Sequence, residues 1–155
     1  MTEPAAPTPP PMGTPFAEVD LHCLMQSLGH SGWLDMRFHA RSDDWIELVM
    51  PWNAEIMGSE VDPAFAAGPI IGLLDNAAGL AAWQRRGVLA PQVTVDLRID
   101  HLRPAAPGRT IFARGECYAM AGSLAYVRGI AHDGAPDDPI VHLAGSFMLL
   151  DGGAE

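Results

Sequence analysis

One stretch near the middle of the chain, residues 64–83, is almost entirely apolar apart from Asp75 and Asn76 at its centre. The stretch is long enough to cross a lipid bilayer. A central Asp, however, costs roughly 2.5–3.5 kcal/mol in a membrane span, and the many Ala and Gly residues offset little of that cost. We therefore predict a helix that is buried on nearly all sides within a folded domain, rather than one that spans a membrane.

The ends of this helix are marked by residues that favour helix starts and stops. Pro69 suits the first turn, where a missing N–H loses no hydrogen bond. Arg85 and Arg86 suit the last turn, where positive charge complements the helix dipole, and Gly87 supplies the stop. The predicted helix covers residues 68–86.

The rest of the chain reads mostly as strands. Apolar residues recur at near-helical spacing over residues 16–28, which predicts a helix that Gly29 ends. Residues 51–67 read as an irregular loop. Strand patterns occupy residues 33–41, 45–50, 93–102, 110–119, 124–132 and 140–150. No helix separates the last four strands, so a doubly wound sheet is disfavoured, and an α+β arrangement of one helix against an antiparallel sheet is predicted.

Composition bounds the class of protein. A chain of 155 residues is the length of one domain, which we place at 16–155 after a disordered Pro-rich tail at 1–15. A net charge of −10 argues against nucleic acid and against a polybasic membrane-surface module. Cys23 and Cys117 have no metal-ligand spacing, so we expect buried thiols and no metal site. We expect a cytoplasmic protein.

Asp75 is the first candidate functional residue, because burying a carboxylate without partners is costly. Helical geometry places Gly72, Asp75, Asn76 and Gly79 on one face. The glycines then form a shallow groove, and we assign Asn76 and Gly79 to substrate binding there. Two interpretations remain open: the glycines permit close helix–sheet packing while Asp75 satisfies backbone donors, or Asp75 is a catalytic carboxylate.

The N-terminus of the same helix is the second candidate, because free N–H groups near Ala67 and Gly68 can bind developing negative charge. Ala67 and Asp75 are eight residues apart, about 12 Å along a helix. Both groups would have to approach one carbonyl within about 3 Å. One helix cannot supply both, whereas two helices related by a two-fold axis can. A catalytic Asp75 therefore predicts at least a dimer.

Three segments carry a family resemblance: AAGPIIGLLDNAAGLAAW, TVDLRIDHLRPAAPG and GSLAYVRGIA. Together they resemble the hotdog fold in its PaaI-type acyl-CoA thioesterase branch, over roughly residues 30–150. The resemblance implies a long central helix wrapped by an antiparallel sheet, in a homodimer that pairs again into a dimer of dimers. It also implies an acyl-CoA substrate, with coenzyme A entering as part of that substrate and no separate cofactor.

The resemblance assigns roles to individual residues. Asp75 matches the family's helix carboxylate, and Ala67 and Gly68 stand where a Gly-Gly pair presents backbone N–H groups to the thioester carbonyl. Thr94 matches a hydroxyl residue that positions the attacking water. Glu60 stands near the place of a family Asn.

Two further features bear on substrate and reaction. Arg103 could meet the phosphates of coenzyme A, or could be an ordinary solvated cation. Ala66 stands where the family usually has a His. We expect hydrolysis of small or medium acyl-CoA thioesters, with aromatic acyl groups among the candidates. The alternatives are a non-catalytic acyl-CoA-binding hotdog protein, which the missing His keeps open, and a hotdog dehydratase or hydratase, which would need that His.

Overall fold

The structure, a computed structural model, describes residues 7–56, 58 and 64–150. Its α-helices are α1 (Leu21–Ser27), α2 (Gly29–Trp33) and α3 (Ala67–Arg86), with short 3-10 turns at Phe16–Glu18 and Ala54–Ile56. The strands are β1 (Arg37–Arg41), β2 (Trp45–Met50), β3 (Gln92–His101), β4 (Ile111–Ala121), β5 (Leu124–His132) and β6 (Val141–Leu149).

The six strands form a single antiparallel sheet in the order β1-β2-β4-β5-β6-β3. Helix α3 packs across one face of it, against β4, β5 and β2 above all. The predicted α+β hotdog arrangement, a long helix against an antiparallel sheet, is confirmed. Strands β1 and β3 are the two edges, and the edge formed by β3 follows α3 directly in the chain.

Close approach of α3 to the sheet depends on a glycine in β4. A Cβ placed on Gly115 would lie 2.5–2.6 Å from backbone atoms of Ala77 and Ala78. With no side chain there, the small residues of the helix contact the sheet directly. Gly87 ends the helix in the left-handed conformation, with φ of 82°, and its N–H reaches the carbonyls of Trp83 and Gln84. The helix begins at Ala67, one residue before the predicted start.

The N-terminal prediction is wrong in part. The predicted helix of residues 16–28 is a 3-10 turn followed by α1, whose start is capped by the Asp20 carboxylate accepting from the N–H groups of His22 and Cys23. Residues 29–33, predicted to end a helix and begin a strand, form α2. Strand β1 therefore starts at Arg37, four residues later than expected.

Strand β3 departs from simple alternation. The pairing with β6 places Thr94 opposite Phe147 and Asp96 opposite Ser146, so Val95 is an extra residue in a β-bulge. In the sequence, the odd-numbered residues from 93 to 99 are apolar and the even-numbered ones are polar, which predicts that the four apolar residues share one face of the strand. In the structure Val93 and Val95 are 49% and 54% exposed, while Leu97 and Ile99 pack on the core.

Part of the predicted tail is hydrogen bonded to the segment that follows α3. The N–H of Gly13 donates to the Leu89 carbonyl at 2.8 Å, and that of Phe16 donates to the Gly87 carbonyl at 2.9 Å. The N–H of Leu89 in turn donates to the Thr14 carbonyl. The predicted domain boundary at residue 16 stays a prediction.

Three smaller expectations are also settled in the described part of the chain. No helix there combines the length and the hydropathy that a membrane span needs. Cys117 is buried as predicted, but Cys23 is exposed because it lies on the outer side of α1. The predicted strands also allow His132 and His142 to face each other. In the structure they are not directly opposite, because His142 pairs with Ile130 and is exposed, whereas His132 is buried.

Candidate active site

Asp75 lies in the middle of α3, on the side of the helix that faces β3. Its side chain is partly buried, and its Oδ1 accepts a hydrogen bond from the hydroxyl of Thr94 at 3.0 Å. Burial raises the pKa of Asp75 above its usual value, while the Thr94 hydrogen bond acts in the opposite direction by stabilising the carboxylate. Of the four oxygen lone-pair sites of a carboxylate, this hydrogen bond uses one, so the group can still accept a proton.

The bulge in β3 brings Thr94 to Asp75. Phe147 is directly opposite Thr94 and points toward α3, where it is 3% exposed. Directly opposite residues of an antiparallel pair share a face, so Thr94 points toward α3 as well. Leu97, three positions later, also packs on the core. Without the extra residue these two side chains would lie on opposite faces of the strand, because the side-chain period of a strand is two.

A cavity of about 380 Å³ opens beside the Asp75–Thr94 pair. Its walls come from α3, from the start of β3 and from the segments next to them. Apart from Asp75 and Thr94, most of the lining is apolar. The lining residues are Met12, Leu28, Asp75, Asn76, Gly79, Leu80, Trp83, Pro91, Gln92, Thr94 and Phe147.

Asn76 and Gly79, which the sequence assigned to a substrate groove, both line this cavity. The Asn76 amide is also committed to the protein: its Nδ2 donates to the Gly72 carbonyl at 2.8 Å, and its Oδ1 accepts from the Ser31 hydroxyl at 3.3 Å. The bond to Gly72 lies within α3, and the bond from Ser31 ties α3 to α2. Gly79 leaves the space that the Gln92 amide occupies, since a Cβ there would lie 2.8 Å from Gln92 Nε2.

Ala67 and Gly68 form the exposed first turn of α3. The preceding residue, Ala66, is extended with φ of −60° and ψ of 144°, and no side chain caps this end. No side chain among the described residues caps these two N–H groups, and their predicted role as donors stays a prediction. Within one chain they lie about two helical turns from Asp75, so a single protomer does not bring donor and carboxylate together.

The other two predicted site residues have different outcomes. Glu60 lies outside the described residues. Arg103 is held by two carboxylates, with its guanidinium 2.9 Å from Asp133 and 3.1 Å from Asp138. It also donates to the Asp138 carbonyl. In this arrangement Arg103 fastens the turn after β3 to the turn after β5, and its predicted role with coenzyme A phosphates stays a prediction.

Sequence reasoning missed seven of the eleven residues that line the cavity, among them Gln92, Trp83 and Phe147. The sequence does not single out Gln92, because one polar residue at the start of a strand does not disturb the hydropathy pattern. From the sequence alone, the aromatic residues Trp83 and Phe147 are most simply core or interface residues. Trp83 does donate its indole N–H to the Ala90 carbonyl at 2.7 Å, which fixes the ring at the cavity's end. Its position one turn after Gly79 on the same helix was the available signal.

A second buried carboxylate, Glu47, lies on the other face of the sheet. Burial alone would raise its pKa, but hydrogen bonds and charge from His132 and Arg114 outweigh burial and hold the pKa below its usual value. A nearby cavity of about 370 Å³ is lined by Arg114 and Arg128, each of which pairs with a glutamate. The charges of Arg114 and Arg128 are therefore balanced by those of Glu47 and Glu116. No grouping that could hold a metal ion occurs among the described residues.

Comparison with known families places these residues in context. Residues 68–140 match the thioesterase superfamily model. The matched segment contains α3 with Asp75 and β3 with Thr94. No curated protein is significantly similar to the chain in sequence.

Solved structures share the fold over most of the chain. A Pseudomonas aeruginosa protein is 27% identical, with a TM-score of 0.76 over 84% of this chain and 96% of that one. The E. coli PaaI protein of the phenylacetic acid degradation operon is 15% identical, with a TM-score of 0.72 over 84% and 91%. A Haemophilus influenzae thioesterase is 17% identical, with a TM-score of 0.72 over 86% and 92%. The resemblance to the hotdog thioesterase superfamily is confirmed.

Proposed function

We propose that this protein hydrolyses acyl-CoA thioesters to the free acid and coenzyme A, because it has the hotdog fold and its residues 68–140 match the thioesterase superfamily model. The observation that carries the proposal is Asp75, a partly buried carboxylate with a raised pKa that faces a largely apolar cavity and is oriented by Thr94. Carboxylates with perturbed pKa values in clefts are concentrated at catalytic sites.

The working unit is a homodimer built on the edge strand β3, and two such dimers form a tetramer. Strand β3 is ten residues long and exposes Val93 and Val95 at a free sheet edge. Such an edge is a template for pairing with another strand. The other edge, β1, is five residues long and carries Arg37 and Arg41, which disfavours pairing there. Pairing at β3 would place a second helix beside the first.

In this dimer each active site combines two protomers. The thioester carbonyl oxygen accepts hydrogen bonds from the N–H of Ala67 or Gly68 of one protomer. Asp75 of the other takes a proton from water as the water oxygen attacks the carbonyl carbon, and Thr94 holds that water. The C–S bond then breaks, and the coenzyme A thiolate leaves and is protonated. Direct attack by Asp75, giving a mixed anhydride that water cleaves, is the other route for the same carboxylate.

The cavity sets the size of the acyl group. At about 380 Å³ it accommodates a small or medium acyl chain, and Leu28, Leu80, Trp83 and Phe147 give that chain, aliphatic or aromatic, an apolar surface. The coenzyme A portion would extend outside the cavity, where Arg103 is the predicted phosphate contact.

A thiol-release assay over a panel of acyl-CoAs tests the proposal. Hydrolysis that Asp75→Asn abolishes supports it. Saturable binding of acyl-CoA by calorimetry with no thiol release from any member of the panel would contradict it and favour the non-catalytic acyl-CoA-binding alternative, which the Ala66 position keeps open.

Mixing two variants tests the shared site once each has been measured to be inactive alone, since Ala67→Pro leaves the Gly68 N–H in place. Ala67→Pro removes one N–H but should fold, because proline is tolerated at the first helical position and Ala66 is already extended. Dimers of Ala67→Pro and Asp75→Asn protomers contain one site with both defects and one intact site. Random exchange should therefore restore about a quarter of wild-type activity. Mixtures that stay inactive after subunit exchange would contradict a site shared between protomers.

A further inference from the structure

Met12 lines the cavity beside Asp75 at the end farthest from that carboxylate. Asp75, Gly79 and Trp83 line the cavity from three successive turns of α3, so Trp83 lies about 12 Å from Asp75 along the helix. Met12 lines the same cavity and belongs to a segment that is hydrogen bonded to residues 87–89, just after the helix ends. An acyl chain whose carbonyl lies at Asp75 and which fills the cavity therefore ends near Met12.

Backbone hydrogen bonds fix the position of Met12. The N–H of Gly13 donates to the Leu89 carbonyl at 2.8 Å, and the N–H of Leu89 donates to the Thr14 carbonyl at 3.0 Å. The N–H and the hydroxyl of Thr14 both donate to the Pro11 carbonyl, which closes a tight turn with Met12 and Gly13 at its centre. Gly13 has a φ of 91°, the left-handed conformation that the third residue of a type II turn requires. The turn therefore holds the Met12 backbone at the end of the cavity.

Met12 also separates this cavity from a second one. The second cavity has a volume of about 270 Å³ and is lined mainly by the segment that follows α3. The two linings share Met12 and Pro91. Pro91 has a fixed backbone position, because its carbonyl accepts from the Leu150 N–H at 2.7 Å. The Met12 side chain is thus the flexible part of the wall between the two cavities.

The Met12 side chain contributes little to the folded core. It is 56% exposed, whereas the apolar side chains of the core are buried. Methionine is unbranched and flexible, so it can adapt to the shape of a ligand that reaches it. Contact with the end of an acyl chain would remove apolar surface of both groups from water, which favours binding. Met12 is therefore available for contact with a substrate.

We infer that Met12 is a specificity-determining residue, which sets the longest acyl chain that the protein accepts. The inference rests on the proposed function. A chain that fits the first cavity ends against Met12, whereas a longer chain has to displace the methionine side chain to enter the second cavity. One methylene more or less in an apolar pocket changes kcat/KM by about 10- to 200-fold, so one side chain at the end of the cavity is enough to set the limit.

Acyl-CoA substrates of increasing length test this inference in the intact protein. The probes are straight-chain saturated acyl-CoAs from butanoyl to dodecanoyl, and kcat/KM is measured for each. Met12→Ala removes the side chain beyond Cβ and should join the two cavities. Relative to the best substrate, kcat/KM for the first chain length that wild type disfavours should rise at least about tenfold. The value for butanoyl-CoA, which is too short to reach Met12, should stay at that of wild type.

Three further variants provide the controls. Met12→Leu keeps an apolar side chain of similar volume and should keep the wild-type length limit. Leu102→Ala removes a side chain that is 54% exposed, much as Met12 is, but that lines neither cavity, and it should leave the length profile unchanged. Gly13→Ala retains Met12 but strains the turn, because alanine disfavours a φ of 91° even where its Cβ meets nothing within 4 Å. It should shift the limit in the same direction as Met12→Ala.

The outcomes separate this inference from the proposed function. Asp75-dependent hydrolysis with the same length profile in wild type and Met12→Ala would overturn the role of Met12 and leave the thioesterase standing. An equal loss of kcat/KM at every length, butanoyl included, would also overturn that role, since Met12 would then only support the fold. Thiol release by wild type from no member of the series would overturn the proposed function itself.

Discussion

Thr94 donates its hydroxyl to Asp75 Oδ1 at 3.0 Å, joining the edge strand β3 to the middle of helix α3. The two influences on Asp75 oppose each other: burial raises its pKa, and this hydrogen bond lowers it. A general base works best when its pKa lies near the working pH. The Thr94–Asp75 pair is thus both an orienting contact and a means of setting the protonation state of the carboxylate.

Thr94→Val keeps the shape of the side chain and removes its hydroxyl. We expect kcat/KM to fall by about two- to tenfold, which corresponds to the loss of one ordinary hydrogen bond. The pKa of Asp75 should rise because the bond that stabilises the carboxylate is gone. The acidic limb of the kcat/KM–pH profile should therefore move to higher pH.

Thr94→Ser is the matched control for that change. It retains the hydroxyl and should return the acidic limb toward its wild-type position. An acidic limb that is the same in Thr94→Val and wild type would show that Thr94 does not act on the titrating group.

Asp75→Asn should separate activity from stability. Loss of the general base should reduce kcat by about 10²–10⁴-fold. Because burial raises the pKa of Asp75 in the folded state, its ionised form destabilises the fold. The stability of Asp75→Asn relative to wild type should thus increase as the pH rises above about 4, the usual pKa of an unfolded Asp.

Urea unfolding of both proteins at neutral and at acid pH measures this difference. If wild type instead became more stable than Asp75→Asn as the pH rises, burial would not be the main influence on the pKa of Asp75. That result would favour the interpretation in which the carboxylate mainly satisfies backbone donors.

The sequence was sufficient for the parts of the fold that local signals define. Pro69 and Gly87 bracket α3, and the observed helix differs from the prediction by one residue at its start. Strands β2 and β5 have their predicted bounds, because alternating residues between clear turns leave little freedom. The break between α1 and α2 was missed because Leu28 continues the apolar spacing although its backbone is extended.

The site was harder to predict because it depends on contacts distant in sequence. Asp75 stood out from its apolar surroundings, but the alternation of β3 placed Thr94 on the polar face, away from Leu97. The bulge at Val95 reverses that parity, and no local residue preference encodes it. The place of Met12 at the end of the cavity was equally invisible, since it arises from the hydrogen bonds of the N-terminal segment with residues 87–89.

Gly115→Ala should destabilise the fold by pushing α3 off the sheet. The added Cβ would lie 2.5 Å from the Ala77 carbonyl carbon, a backbone atom that cannot rotate away. Overpacking of this kind costs about 1–3 kcal/mol.

Gly29→Ala is the control, because a Cβ there meets nothing within 4 Å. Its free energy of unfolding should change by less than about 0.5 kcal/mol. If the two variants had the same free energy of unfolding in urea, contact at Gly115 would not determine how closely α3 approaches the sheet.

Asp133 should give the fold an acid-sensitive contact. Its carboxylate is hydrogen bonded by Arg103 at 2.9 Å and by the Ala106 N–H at 2.8 Å, and these bonds lower its pKa to about 2 against the opposing effect of burial. The folded-state pKa lies below the unfolded value of about 4, so the contribution to stability is present above pH 4 and is lost as the pH falls toward 2. Asp133→Asn should cost about 1–2 kcal/mol at neutral pH.

The measurement is the free energy of unfolding of wild type and Asp133→Asn at neutral pH and near pH 2.5, where the difference between the two values should shrink to about a third. Asp100→Asn is the matched control: Asp100 also pairs with an arginine, Arg98, but the two side chains are 51% and 74% exposed. Exposed pairs contribute about 0–1 kcal/mol, so this variant should stay close to wild type at both pH values. A constant gap between wild type and Asp133→Asn across the acid range would show that the Arg103–Asp133 contact does not hold the two turns together through its charge.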